Sequence, residues 1–306
     1  MREASASAKI ILVGEHAVVY GQPAIAVPVS SLRAVADVEA NRPSGQGLRI
    51  VAADAALTLD SHPDNPLVIT AKLVLRALDA PAPDITITVR SQIPVASGLG
   101  SGAAVSTALA RALSAACNHP LDNETLNAII YEVEKIHHGT PSGIDNTVIV
   151  YEQPVYFIRN QPIERVIIGA PFSLLIANTG IAASTRTAVA DVRKLYETQP
   201  QRIRAVIEEI GALVVKARQA IETRAFVQLG LLMQQNHRLL QQLTVSSREL
   251  DTLVNAAMKV GALGAKLSGG GRGGNMIALV TPETAGAVQQ ALFQAGAVSV
   301  FATTVE

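Results

Sequence analysis

The chain has no tryptophan, a single cysteine, and aromatic residues at only 3% of its 306 positions. Each shortage removes a class of function. So few rings cannot build a platform for stacking single-stranded bases, and a net charge of zero gives no basic face for a duplex. One cysteine, Cys117, cannot form an internal disulfide. It lies in an alanine-rich helical pattern, which makes it a packing residue and suits a reducing compartment. The apolar run from Ile10 to Val13 is too short for a signal peptide, and no stretch approaches the roughly 20 residues that span a bilayer. The expectation is a cytoplasmic protein with neither nucleic acid nor membrane as partner; a homodimer is one assembly open to it. No lysine lies between Lys72 and Lys135, so the Walker-type phosphate motif is absent.

What is present is apolar. Hydrophobic residues make up 49% and charged residues 16%, enough for a large core and one or two domains. Strand patterns occupy Lys9 to Val13, Ala24 to Val29, Arg33 to Glu39, Leu48 to Ala52, Asp84 to Val89 and Thr147 to Phe157. Helical patterns lie at Asn65 to Leu78, 102 to 117 and 123 to 138. After a strand from Phe172 to Ala177, helix is expected from Ser184 to Val260, interrupted around Pro200, Glu222 and Val245. Strands at 265–268, 275–280 and 297–303 flank a final helix, Pro282 to Gln294. This segregation argues for an α+β fold. Turn residues at Gly169-Ala-Pro171 mark a boundary, giving domains 1–169 and 170–306.

The segment most suggestive of chemistry is Pro94-Val-Ala-Ser-Gly98-Leu-Gly100-Ser-Gly102-Ala-Ala104. A strand leads in and an alanine-rich helix follows. Glycines let the backbone approach a ligand, and a helix begins with about four N–H groups lacking intrahelical partners and a partial positive charge. A phosphate chain would satisfy those donors. A strand–helix connection without a ligand is the competing reading. Gly269, Gly271 and Gly274 match the dinucleotide fingerprint, but a strand follows where that motif requires a helix.

Three further segments stand out. In Asp122 to Tyr151, Leu126, Ile129, Ile130, Val133 and Ile136 recur at helical spacing, flanked by Glu132 and Glu134, between which spacing does not choose. His137-His-Gly-Thr-Pro-Ser-Gly-Ile-Asp145-Asn follows, without a third ligand at zinc-like spacing. Asp145 reads either as a turn residue or as a carboxylate beside a nucleotide. At the start, Lys9 lies in a strand that ends in Gly14-Glu15-His16, where side chains are often delivered into a site. Near the end, Lys266-Leu-Ser is followed by a glycine-rich run to Gly274, which implies close backbone approach.

Together, and in this order over nearly the whole chain, these segments resemble the superfamily of galacto-, homoserine-, mevalonate- and phosphomevalonate kinases. Lys9…Gly14-Glu15-His16-Ala-Val-Val19 fits the mevalonate branch best: galactokinases carry an acidic residue at the place of Val18, phosphomevalonate kinases tend to have tyrosine at that of His16, and the related decarboxylases usually lack Lys9. The resemblance implies a two-domain α+β small-molecule kinase of the GHMP type. Its N-terminal domain would hold a mixed sheet and the glycine-rich loop–helix, its C-terminal domain would be helix-rich, and its active site would lie between them.

By the same resemblance, Pro94, Val95, Ala96, Ser97, Gly98, Leu99, Gly100, Ser101, Gly102, Ala103 and Ala104 would bind ATP. Asp145 would serve as base or orienter for the attacking hydroxyl, with Lys9 polarising it. Glu134, with Ser101, would hold Mg²⁺, and Glu15, His16 and Thr185 would contact a small hydroxy acid, mevalonate in the best-fitting branch. Two departures from the pattern are Gly102, where the family has a second serine, and Arg272, where a small residue is usual. A sister kinase, a decarboxylase of the same fold and a non-catalytic ligand sensor are the rival readings.

Overall fold

The computed structural model describes residues 2–53, 55–95, 97–138 and 141–306. Ala96 of the phosphate loop, with Gly139 and Thr140 of the aspartate segment, lies outside the described residues. Two compact units interleave along the chain. One comprises Met1–Ala8, Leu32–Val95 and Gly100–Glu152; the other comprises Lys9–Ser31, Ala96–Leu99 and Gln153–Glu306. Strands β1 (Arg2–Val13) and β2 (Ala24–Ala40) each contribute residues to both. The two strands expected at Ala24–Val29 and Arg33–Glu39 are thus one, with Ser30 and Ser31 inside it.

In the first unit, β2 runs through Ser30-Ser31, which is no turn signal strong enough to end it, and its second half pairs antiparallel with β5 (Ile85–Ser91). Between them in sequence come β3 (Arg49–Ala52), β4 (Ala55–Thr58) and helix α1 (Pro66–Ala77). The strand order is β4-β3-β5-β2, with β3 parallel to β5 and Ile50 opposite Ile87. Asn65 caps α1 by accepting from Leu67 N at 2.9 Å, and Pro66 occupies the first helical position, where its missing N–H costs nothing. Helices α2 (Ser101–Ala116), α3 (Asn123–His138) and α4 (Ile144–Tyr151) pack on one another. Ala103, Ala104, Ala108, Leu109, Ala112 and Leu113 bury α2 around its whole circumference.

Helix α4 overturns the strand expected from Thr147. Its run Thr147-Val-Ile-Val150 is β-branched, which favours strand by propensity. Those four residues are all buried, so no alternation or helical stripe was visible, and packing decides. Gly143 starts the helix in a left-handed conformation, and Thr147 Oγ1 donates to Gly143 O at 2.7 Å. Only Val155–Phe157, strand β6, keeps the expected extended form. At the other end, Glu152 takes hydrogen bonds from Arg33, Arg111 and Ser7 N, which anchors α4 to β2, α2 and β1.

The second unit holds the first half of β2, where Ala24–Ala26 pair with β6, and a short β7 (Glu164–Arg165) beyond it. Its own sheet is antiparallel in the order β11-β8-β10-β9, from β8 (Phe172–Asn178), β9 (Gly264–Ser268), β10 (Asn275–Val280) and β11 (Ser299–Val305). Between β8 and β9 run α5 (Thr185–Thr198), α6 (Pro200–Glu222), α7 (Phe226–Gln242) and α8 (Arg248–Lys259), broken at the three expected places. Helix α9 (Pro282–Gln294) links β10 to β11. The α+β class and its two-domain character are as expected. Among the described residues no helix is long and apolar enough to cross a membrane.

Helix α7 meets β9 backbone to backbone. A Cβ on Gly230 would stand 2.1 Å from Leu263 O, and one on Gly264 would stand 2.3 Å from Gly230 O. Gly230→Ala should therefore destabilise the protein by about 3 kcal/mol, the upper end of overpacking penalties, because backbone cannot step aside as a side chain can. Chemical denaturation reads this directly; a midpoint equal to that of the parent protein would refute the close approach.

Candidate active site

Each unit gathers its own set of the predicted residues. In the first unit, Gly100 (φ 74) caps α2 in a left-handed conformation with no side chain to occupy the free N–H groups of the first turn. Ser101 opens the helix, its hydroxyl 3.4 Å from Ile93 O; Gly102, Ala103 and Ala104 continue it. Gly102 has helical backbone, so a side chain there meets no conformational strain. Before the loop, Val95 is exposed and Pro94 half-buried.

Glu132 and Glu134 part company. Glu132 faces solvent and pairs with Lys135 at 2.6 Å, whereas Glu134 is buried beside Val133. Asp145 stands half-buried in the first turn of α4, and its neighbour Asn146 donates to Asn127 Oδ1 at 2.6 Å. Ser101, Glu134 and Asp145 lie on three helices, α2, α3 and α4, that pack on one another.

In the second unit the end of β1 is the centre. Gly14 (φ +103) makes the turn, and a Cβ there would fall 2.6 Å from Ala24 Cα, so only glycine fits. Its N–H donates to Asn236 Oδ1 at 3.3 Å. Lys9 is buried, and its backbone N–H donates to Leu99 O at 3.1 Å, tying β1 to the phosphate loop. Asn275 Nδ2 donates to Ser97 O at 2.6 Å, and Gly98 lies against Gly269. The phosphate-loop segment Ser97–Leu99 is thereby sandwiched between β1 and the glycine-rich turn after β9.

Glu15 and Lys266 form an ion pair at 1% and 0% side-chain exposure. Lys266 Nζ also donates to Leu267 O at 2.5 Å. Burial pushes the Glu15 carboxyl up and the Lys266 ammonium down in pKa, and each partner's charge opposes that shift. Strand β9 is held in turn by His237, whose Nδ1 accepts from Leu267 N at 3.2 Å while its Nε2–H donates to Asp251.

His16 follows with φ 61, a conformation rare for a residue with a side chain. Its Nε2–H donates to Gly270 O at 3.0 Å, which leaves Nδ1 as the acceptor of a neutral ring. Burial lowers its pKa to about 4; the Gly270 hydrogen bond opposes that, and Arg272 and Lys266 add to it. Thr185 opens α5, exposed to solvent, and a Cβ on Gly270 would come within 2.8 Å of its Oγ1. His16, Gly270 and Thr185 therefore sit together. Arg272 pairs with Asp191 of α5, and its backbone N–H donates to Val245 O at 2.7 Å.

Lys266, Asn236 and Asn275 escaped sequence reasoning. Only Lys266 left a signal, a lone charge in a strand that is otherwise apolar or small. Nothing about Asn236, in a helix of polar glutamines, distinguishes it.

Known proteins share this chain's sequence pattern and fold. The family pattern described as "GHMP kinases N terminal domain" matches residues 65–153, and "GHMP kinases C terminal" matches 217–298. Both halves therefore carry the signature of one class, the ATP-dependent GHMP small-molecule kinases. The chain is 36% identical to a mevalonate kinase of Thermococcus onnurineus, over 96% of this chain and 93% of that one. It is 38% identical to one from Thermococcus sibiricus with the same coverage. It aligns with the L. major mevalonate kinase solved with R-mevalonate at a TM-score of 0.86 and 30% identity, covering 100% of this chain and 96% of that one. The chain belongs to the mevalonate kinase family.

The buried His16 gives a pH signature. Unfolded, an imidazole binds its proton below about 6.5; folded, His16 binds one only below about 4. Between those values the unfolded state holds the extra proton, so stability falls as pH drops, by about 3 kcal/mol in total. His16→Asn, which tolerates positive φ, should flatten this part of the stability–pH curve relative to the parent protein. Parallel curves would show that His16 titrates normally.

Proposed function

We propose that this chain transfers the γ-phosphoryl group of ATP to the primary hydroxyl of mevalonate, giving 5-phosphomevalonate and ADP. The observation that carries this reading is identity of 36–38% to mevalonate kinases over more than 90% of both chains. The lone cysteine supports a reducing, cytoplasmic setting.

Phosphoryl transfer passes through a loose transition state, so catalysis is mainly positioning and charge neutralisation. The roles are those that the family resemblance implies, and the chemistry of each group suits its part. The first turn of α2 offers N–H donors and a positive helix end to the phosphates of ATP. Asp145 accepts or orients the proton of the attacking hydroxyl. The Lys9 ammonium polarises that hydroxyl and steadies negative charge. Glu15, His16 and Thr185 contact the rest of the hydroxy acid.

The residues also fit Mg²⁺. Among the described residues no three His, Cys, Asp or Glu side chains form a metal cage. Glu134, a buried carboxylate on a helix packed against the one that Ser101 opens, would with Ser101 hold an ion of the kind that keeps several of its waters. When bound, Mg²⁺ would neutralise phosphate charge. With no hydroxyl at Gly102, either Ser101 or water would supply that ligand, or the ion would be held more weakly.

ADP release measured with mevalonate, phosphomevalonate, homoserine and galactose tests the assignment. Mevalonate should be turned over far best, and chelation of Mg²⁺ should abolish the rate; preference for another substrate would overturn the reading. Asp145→Asn should lower kcat by about 10²–10⁴ and leave nucleotide affinity within a few-fold. A loss confined to melting temperature would instead make Asp145 a turn residue.

A further inference from the structure

Near the end of β1 two buried acceptors have no hydrogen-bond partner among the described residues: Glu15 Oε2 and His16 Nδ1. A buried polar atom without a partner is costly and is rarely retained without a use. Both belong to the turn after Gly14, and both are held by their other polar atom. Glu15 Oε1 is bound by Lys266, and His16 Nε2 is bound to Gly270 O. Lys266 has no solvent exposure and reaches Glu15 from β9, while its second bond, to Leu267 O, fixes the ammonium on its own strand.

We propose that Lys266 is a positioning residue for the phosphoryl-accepting substrate: it clamps one Glu15 oxygen so that the other, with His16 Nδ1, is held as an acceptor for hydroxyl groups of that substrate. This rests on the mevalonate kinase reading given above. Two acceptors suit a polyol-like acid, which brings hydroxyl donors, and do not suit its carboxylate, which has none. Lys266 touches neither substrate nor phosphate in this scheme; it acts through Glu15. The charged or titratable groups around Glu15 are Lys266 on β9, Lys9 on β1 and the adjacent His16, and His16 in turn faces Arg272. Lys266 hydrogen-bonds the Glu15 side chain directly.

The test is a cycle of Glu15→Gln, Lys266→Met and the double variant, assayed by ADP release with mevalonate and ATP varied separately. Lys266→Met should raise KM for mevalonate about ten- to a hundredfold, the scale of one charge-assisted hydrogen bond, and leave KM for ATP unchanged. Without the ammonium the buried Glu15 carboxyl keeps its proton to higher pH, so the KM defect should shrink as pH rises. Because the double variant removes both charges, it guards against misfolding of Lys266→Met, whose lone buried carboxylate is the risk. Its KM for mevalonate should equal that of Glu15→Gln. A double variant whose defect is the sum of the two single ones, or a Lys266→Met that melts lower with unchanged KM and pH profile, would overturn the proposal. Failure of the parent protein to phosphorylate mevalonate would instead remove the reading beneath it.

Discussion

An ammonium group sealed from water is tolerable only where its donors find acceptors, and around Lys266 they do. Its charge meets Glu15, its second bond meets Leu267 O, and the strand that bears it is gripped through Leu267 N by His237. Taking both charges out of water costs much of what their attraction returns, so such a pair adds little net stability over an apolar one. What it does add is direction. Sliding β9 by one residue would turn Lys266 to the opposite face and strand the Glu15 charge. The pair thereby fixes how the end of β1 lies against the second sheet, and the turn carrying His16 inherits that placement.

Around this pair the backbone itself is the packing surface. Gly14 against Ala24, Gly230 against Leu263 and Gly270 against Thr185 leave no room for a methyl group. Contacts of this kind hold main chains at fixed separations without relying on side-chain rotamers, and Asn275 and Asn236 then satisfy carbonyl and amide groups exposed by the tight turns. The phosphate-loop segment Ser97–Leu99 is placed by hydrogen bonds to its carbonyls at Ser97 and Leu99. Its geometry therefore depends on neighbours far along the sequence more than on its own glycines.

Much of this was legible in the sequence where a single period dominates. The four helices between β8 and β9 are amphipathic, with Pro200 at one break, and their boundaries could be read from the pattern. Helix α4 could not, because a segment buried on all sides shows no periodicity and its β-branched run points to strand. For the candidate site, glycine spacing and family likeness singled out the loops, Lys9, Glu15, His16 and Asp145. Spacing did not choose between Glu132 and Glu134; the family likeness pointed to Glu134, and the packing of α3 buries it. Nor did they show that Arg272 clamps α5 through Asp191, since a charge at a glycine-rich turn looks the same whether it meets a ligand or a helix.

The separation of Glu15 from Lys266 has a consequence for how the protein is made. They stand 251 positions apart. At about 5–20 residues per second, a ribosome delivers the lysine tens of seconds after the glutamate. Once residue 152 has been made the nascent chain contains the whole of the first unit, yet it still has no means of completing the turn after β1. The chain also crosses between its units after residues 8, 31, 95, 99 and 152, so no single cleavage separates one from the other. A product that stops short of β9 would lack Lys266 and leave the Glu15 carboxylate without its partner, so the ion pair forms only once nearly the full length has been synthesised.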